Sequence, residues 1–367
     1  MLLERNDVTM KERIAELMNA LPAQCDAAVV VTGTARRYLT GFASSDGILF
    51  LTRKTGVLLM DGRYEEAARA SVRDVQVLGL TSQREQLPAL CRQYGVRRVA
   101  LETALTVRRA WELADLMPDV EVQPEAALDE ALARLRMVKA TEEIMLLRQA
   151  QQVTQAAFSH ILGFIRTGVR ERDIAAELEY AMRKNGAQAA AFETIAVSGP
   201  NSSLPHGVPG DRAVQLGDLV TMDFGAVVDG YHADMTRTVA VGFAGERQAK
   251  VYETVLTAQE AALAALGPGV ACAAADAAAR DVIARAGYGD CFVHSTGHGV
   301  GLEIHEGPNL SQRSEQTLAP GNVVTVEPGI YLPGAFGVRI EDMALITAHG
   351  YENLTSAPKN LIVLDPR

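Results

Sequence analysis

Apolar residues recur along this 367-residue chain with two alternating spacings. Ile14, Leu17, Met18 and Leu21 stand at helical intervals, and residues 27–31 then form a continuous apolar run of strand length. The segments 47–52 and 56–60 flank Arg53-Lys54-Thr55 and predict a hairpin, with a helix starting at Asp61. Residues 75–78, 99–101 and 120–122 read as further short strands, so the first part of the chain is expected to be an α/β domain ending near residue 125. A helical segment follows from about Leu128, with Thr141 as N-cap ahead of Glu142 and Glu143. Ala157, Phe158, Ile161, Leu162 and Ile165 keep helical spacing, Ile174, Leu178, Ala181 and Met182 repeat it, and strands carrying Asp223 and Asp234 come next.

The same order then recurs. Val251, Val255, Ala258 and Ala262 mark a long helix, the alanine-rich run 273–286 another, and strands holding His298, Glu327 and Glu341 follow. Two similar halves, each a helix pair plus strands, predict a duplicated α+β fold with a central antiparallel sheet. The expected division is an N-terminal α/β domain over 1–127 and a second domain over 128–367.

Composition narrows the function. Thirty-five Lys and Arg against 45 Asp and Glu give a formal charge of -10, with no basic stripe, which argues against nucleic-acid or anionic-membrane partners. The N-terminus is charged from its fourth residue, lacks an apolar signal core, and no later run is long enough to span a bilayer, so a soluble cytoplasmic protein is expected. Cys25, Cys91, Cys272 and Cys291 are far apart and read as small core residues. Five of the seven histidines, however, fall between residues 200 and 310.

Candidate chemistry lies in two hairpins. If Asp229-Gly230 are the turn residues of the first, Asp223 pairs with Thr236 and Asp234 lies one diagonal step away on the same face. A turn centred on Gly334 likewise puts Glu327 opposite Glu341. One Asp near a strand is most often a capping or ion-paired acid; two facing acids in each of two matching hairpins call for a cation between them. The stretch from His294 to His305 adds imidazoles, and His298 between Gly297 and Gly299 is the best nitrogen ligand. Four carboxylates and one neutral imidazole balance two divalent cations, with Mn²⁺ favoured by the oxygen-rich set and Co²⁺ or Zn²⁺ as alternatives. Such a pair can activate a shared hydroxide and polarise a carbonyl, the two requirements of amide hydrolysis.

These residues resemble the pita-bread metallopeptidases, the family of methionine aminopeptidase, prolidase, aminopeptidase P and creatinase. The motifs that carry the resemblance are Met-Asp-Phe-Gly around Asp223, His-Ala-Asp-Met-Thr-Arg-Thr around Asp234, Thr-Gly-His-Gly-Val-Gly around His298, Val-Glu-Pro-Gly-Ile-Tyr around Glu327 and Val-Arg-Ile-Glu-Asp around Glu341. The first 125 residues look like the creatinase-type N-terminal domain, so the likeness covers nearly the whole chain. It implies that Asp223, Asp234, His298, Glu327 and Glu341 hold two metal ions per subunit, that Asp234 and Glu341 bridge them, and that Glu327 takes the proton of the attacking water. It implies catalytic contacts from His206 and His305 to the scissile region, and an Arg339 that steadies a ligand carboxylate. For His294 a pocket-wall role and a structural one both stay open, and His232 receives no role. A homodimer is also implied.

Within that family the extra N-terminal domain argues against methionine aminopeptidase and the filled ligand set against creatinase. Archaeal-type prolidases read His-Glu-x-Pro-Arg where this chain has His305-Glu-Gly-Pro-Asn309, and Asn309 cannot supply a charge for a substrate C-terminus. The sequence therefore favours a hydrolase of the aminopeptidase P kind, a Xaa-Pro aminopeptidase acting on peptides with proline second, over prolidase. A metal-free binding module is the remaining alternative.

Overall fold

The computed structural model describes residues 9–367. The chain forms two compact units, the first ending at Arg136 and the second beginning at Met137. The helix Ala126–Met137, which the sequence reading assigned to the second domain, thus belongs with the first.

In the first unit a six-stranded mixed sheet runs in the order Gln76–Gly79, Gly56–Met60, Ile48–Thr52, Ala27–Val30, Arg98–Leu101, Glu121–Pro124. The expected hairpin is present, with Leu51 opposite Gly56. The central strands are buried along their whole length, as continuous apolar runs require when helices cover both faces. The helix expected at Asp61 starts instead at Glu65, because the Asp61 carbonyl accepts from the N–H groups of Tyr64 and Glu65 in a preceding turn.

The second unit carries two helix pairs, Thr141–Ile161 with Glu171–Lys184 and Glu246–Ala264 with Cys272–Arg285, each followed by strands. The cap of the first helix sits one residue before the expected Thr141: Ala140 is the N-cap, and its N–H donates to Glu143 (3.0 Å). That helix also stops at Ile161, leaving the buried Ile165 beyond its end.

Strand alternation separates core from site. Val324 and Val326 join Val255, Ala258, Ala262, Ala275 and Ala279 in a single apolar cluster, while Thr325 between them turns to the opposite face. Small alanines let the helices lie close to the sheet, and each fully buried Val or Ile there contributes about 1.5–3 kcal/mol. The described helices include none long and apolar enough to cross a membrane.

Candidate metal centre

Both hairpins have the expected register. Val228 faces Tyr231 across Asp229-Gly230, both of which have positive φ (41° and 72°), the mark of a type I′ turn, and Asp223 faces Thr236. In the second hairpin Leu332 faces Phe336 and Gly329 faces Arg339, and after a gap Val326 faces Asp342. Three of the four acids occupy the gaps. Asp234 lies where the first ladder is interrupted, between the pairs Phe224–Met235 and Val227–His232, and Glu327 and Glu341 lie opposite each other where the second is interrupted. There the freed backbone groups bind other elements: Glu341 N–H donates to Thr236 C=O (3.1 Å), joining the two halves, and Glu327 N–H donates to Thr296 C=O (2.7 Å).

His298 sits on the short strand Gly297–Gly299. A Cβ on Gly297 would stand 1.9 Å from the Thr325 carbonyl oxygen and one on Gly299 2.1 Å from that of Gly307, so only glycine fits on either side. The imidazole Nδ1 lies 3.0 Å from Gly299 C=O, which can only accept; Nδ1 therefore carries the hydrogen and Nε2 keeps its lone pair. Nε2 points at Asp234 Oδ2 (3.5 Å) and Glu327 Oε1 (3.4 Å).

Ligand atoms of Asp234, His298 and Glu341 lie within 4.8 Å of one another. Glu327 reaches the same group through His298, while Asp223 is drawn to Arg339, whose Nη2 is 2.6 Å from Asp223 Oδ2. Asp223, Asp234, His298 and Glu327 line one cavity of about 530 Å³, together with His206, His294, His305, Asn309 and Arg339. Three carboxylate oxygens, Asp223 Oδ1, Asp234 Oδ1 and Glu341 Oε1, are buried with no hydrogen-bond partner. Buried polar atoms are nearly always partnered, and oxygens gathered beside a free imidazole nitrogen have the donor chemistry of a divalent-metal site. The residues fit a metal.

The electrostatics agree. Burial pushes the Asp234 carboxyl well above the usual range, and Asp223 and Glu327 push it further. Burial also raises Glu341, followed by Asp234 and Glu327. Glu327 is raised by burial against the opposing pull of His298 and Arg339. Burial lowers the Arg339 guanidinium, but Tyr331, Asp223 and Glu327 more than offset this and keep it charged.

Around the acids the remaining side chains form a connected network. Arg339 Nη1 donates to the Tyr331 hydroxyl (2.7 Å), which donates to His294 Nε2 (2.9 Å), while His294 Nδ1 lies 2.8 Å from Ser295 C=O. Burial first, then Arg339, takes the His294 pKa down to about 4, in keeping with this neutral tautomer. His305 stacks edge-on to His298 with ring centroids 4.4 Å apart, and burial lowers its pKa. His232, with Nδ1 3.2 Å from Gly301 C=O, is tied to backbone.

The sequence reading gives no role to several members of this network. Tyr331 lies opposite Gly337, where a Cβ would come 2.9 Å from its ring; a bulky residue facing glycine across a hairpin was the available clue. Thr236 donates to Glu341 Oε2 (2.7 Å) from its place opposite Asp223, so the register itself could have found it. Arg237, fully buried, pairs with Asp342 (2.8 Å) next to Glu341, a link between residues far apart in sequence.

Residues 145–348 match the metallopeptidase family M24, and residues 11–138 match the creatinase/prolidase N-terminal domain. The chain belongs to metallopeptidase family M24. This M24 peptidase is 42% identical to the peptidase YqhT of Bacillus subtilis over 92% of its length and 96% of that protein's. It is 36% identical to the Xaa-Pro dipeptidase of Pyrococcus horikoshii over 96% and 99%. Among solved structures, the Xaa-Pro dipeptidase from Bacillus anthracis superposes with a TM-score of 0.93 at 39% identity, covering 97% of this chain and 100% of that one. The X-Pro aminopeptidase from Thermotoga maritima gives 0.89 at 36%, covering 96% and 100%. The M24 peptidase therefore has a creatinase-type N-terminal domain followed by a pita-bread catalytic domain.

Proposed function

We propose that this M24 peptidase is a Xaa-Pro dipeptidase, a prolidase. The observation that carries this choice is full-length likeness to proteins bearing that name, combined with a cavity that gathers the metal-type donors. This reverses the order of preference suggested by the sequence, where Asn309 alone placed aminopeptidase P first.

In this reading Asp223, Asp234, His298, Glu327 and Glu341 hold two divalent ions, with manganese favoured by the oxygen-rich set. The ions, when bound, lower the pKa of the attacking water and polarise the scissile carbonyl. Glu327, raised by burial and beside His298, accepts the water proton. His206 and His305 line the cavity as hydrogen-bonding groups for the scissile region, and a neutral His305 can donate one proton to a developing oxyanion. Arg339 and the hydroxyl of Thr236 orient Asp223 and Glu341.

A second reading, aminopeptidase P, is favoured by one observation. Among the described residues that line the cavity, Arg339 is the sole Lys or Arg, and its guanidinium is committed to Asp223; Asn309 offers no charge for a free proline carboxylate. The test compares kcat/KM for a matched Xaa-Pro dipeptide and Xaa-Pro-Yaa tripeptide after Mn²⁺ loading. Preference for the dipeptide supports prolidase, preference for the tripeptide selects aminopeptidase P, and cleavage of neither leaves a binding module.

A further inference from the structure

Glu171 is fully buried at the start of the helix Glu171–Lys184, away from the metal-type cluster, and its carboxylate gathers hydrogen bonds from two places in the chain. Its Oε1 accepts from the N–H (2.7 Å) and the hydroxyl (2.9 Å) of Ser198 and from Asn201 Nδ2 (3.1 Å). Its Oε2 accepts from Asn201 Nδ2 (3.1 Å) and from the N–H of Gly210 (3.3 Å). The Ser198 hydroxyl in turn accepts from Arg212, which pairs with Asp218, so the carboxylate ends a chain of charged and polar groups. Backbone bonds reinforce the same place: Glu171 N–H donates to Arg212 C=O and Arg172 N–H to Gly210 C=O.

The segment between these two attachment points, residues 199–209, includes Pro205, His206, Gly207, Val208 and Pro209 of the cavity wall. Further ties, from Gly337 N–H to Ser202, Gly334 N–H to Ser203 and Arg339 to Pro205 C=O, reach its middle. At the neck of the loop one side chain, reinforced by those backbone bonds and by Arg212, binds both attachment points. The second half of the domain repeats the device: buried Asp276, early in the helix Cys272–Arg285, accepts from the N–H (3.0 Å) and hydroxyl (2.9 Å) of Thr296, two residues before His298.

We propose that Glu171 is a positioning residue: its carboxylate clamps both ends of the 199–209 loop and thereby holds His206 at its place in the cavity. The kinetic part of this rests on the role given to His206 above; the mechanical part does not. A buried carboxylate that accepts several N–H and O–H bonds suits the task because each donor bonded to a charged acceptor is worth more than one bonded to a neutral group. Glu171→Gln is the discriminating change. Its amide oxygen can still serve Ser198, but its NH₂ would face the Gly210 N–H and the Asn201 amide, donor against donor, and the clamp opens at one end.

The test uses the full, Mn²⁺-loaded chain. Hydrogen exchange of the backbone amides of residues 199–209, followed by mass spectrometry, is expected to accelerate about tenfold in E171Q, the equivalent of one lost charged hydrogen bond. Exchange there at the wild-type rate overturns the clamp whatever His206 does. In the double-mutant cycle with His206→Ala, E171Q is expected to lower kcat/KM in the wild type but by less than about twofold in the H206A background. A full multiplicative loss would mean a general structural role and would also overturn the proposal. If H206A by itself turns over normally, the assigned role of His206 fails while the hydrogen exchange still decides the clamp. Should E171Q not fold, Asn201→Ala, which keeps the buried charge, is expected to shift both readouts in the same direction, and no shift in either would count against it.

Discussion

Arg339 Nη2 lies 2.6 Å from Asp223 Oδ2, and the same guanidinium places its Nε 3.0 Å from the Thr236 hydroxyl that donates to Glu341. One cation thus orients an acid from each hairpin. Lysine offers a point charge without the planar fork and cannot keep both contacts along with Tyr331. Arg339→Lys is therefore expected to weaken Mn²⁺ binding by about 10- to 100-fold, as loss of a residue that orients a metal ligand does. Calorimetric titration of the chelated protein checks this, and unchanged affinity would assign Arg339 to packing alone.

Metal removal should leave Asp234, Glu327 and Glu341 as buried acids whose pKa values stand above the ordinary range, all three primarily through burial. Because a cation binds the ionised carboxylates, its arrival opposes this upward shift and displaces protons. Titrating Mn²⁺ into the chelated protein at about pH 7 is expected to release protons, and fewer as the pH is raised. Isothermal titration in two buffers with different ionisation heats measures the number; zero release throughout would contradict the raised values. The same titration should raise Tm, since a ligand that binds only the folded state stabilises it.

His294 supplies a pH dependence of the opposite chemical type. Its pKa falls from 6.5 in an ordinary environment to about 4 in the fold, mainly through burial. Between these values the unfolded chain binds a proton that the folded chain refuses, so stability is retained above the unfolded pKa and lost as pH falls toward the folded one. From about pH 7.5 to pH 5 this costs about 2 kcal/mol. Denaturant unfolding of wild type and His294→Gln at both pH values should show the wild type losing that much more than the variant.

Asn309 lines the same cavity as His305, and in the dipeptidase reading a cation there would face the free carboxylate of the substrate. Asn309→Arg is expected to raise kcat/KM for a Xaa-Pro dipeptide relative to the matched tripeptide by about tenfold, the value of one charged hydrogen bond. A ratio that does not move would show that carboxylate recognition lies elsewhere.

Much of this site is legible in the sequence because turns transmit geometry. Asp229-Gly230 admits a two-residue turn, the turn sets the parity of the strands, and parity puts Asp223 opposite Thr236. The same reasoning applies to Glu327 and Glu341 about Gly334. What cannot be read this way are contacts between elements distant in sequence. Arg237 beside Asp342, Thr296 beside Asp276 and Ser198 beside Glu171 have no periodicity to announce them, only the folded packing. The N-cap at Ala140 was missed for a different reason: Thr141 is the better capping side chain, but Glu143 secures the preceding N–H.

The interrupted ladders make segment length a hidden coordinate of the chemistry. The turn at Gly334 lies several residues from Glu327 and Glu341, yet it counts out the residues that set them face to face. Inserting or deleting a single amino acid at that tip would invert the facing of one arm unless a bulge absorbed the offset. An evolving lineage can therefore vary the letters at these tips more freely than their number, and distant indels are a route by which such an enzyme could be silenced with every ligand residue still in place.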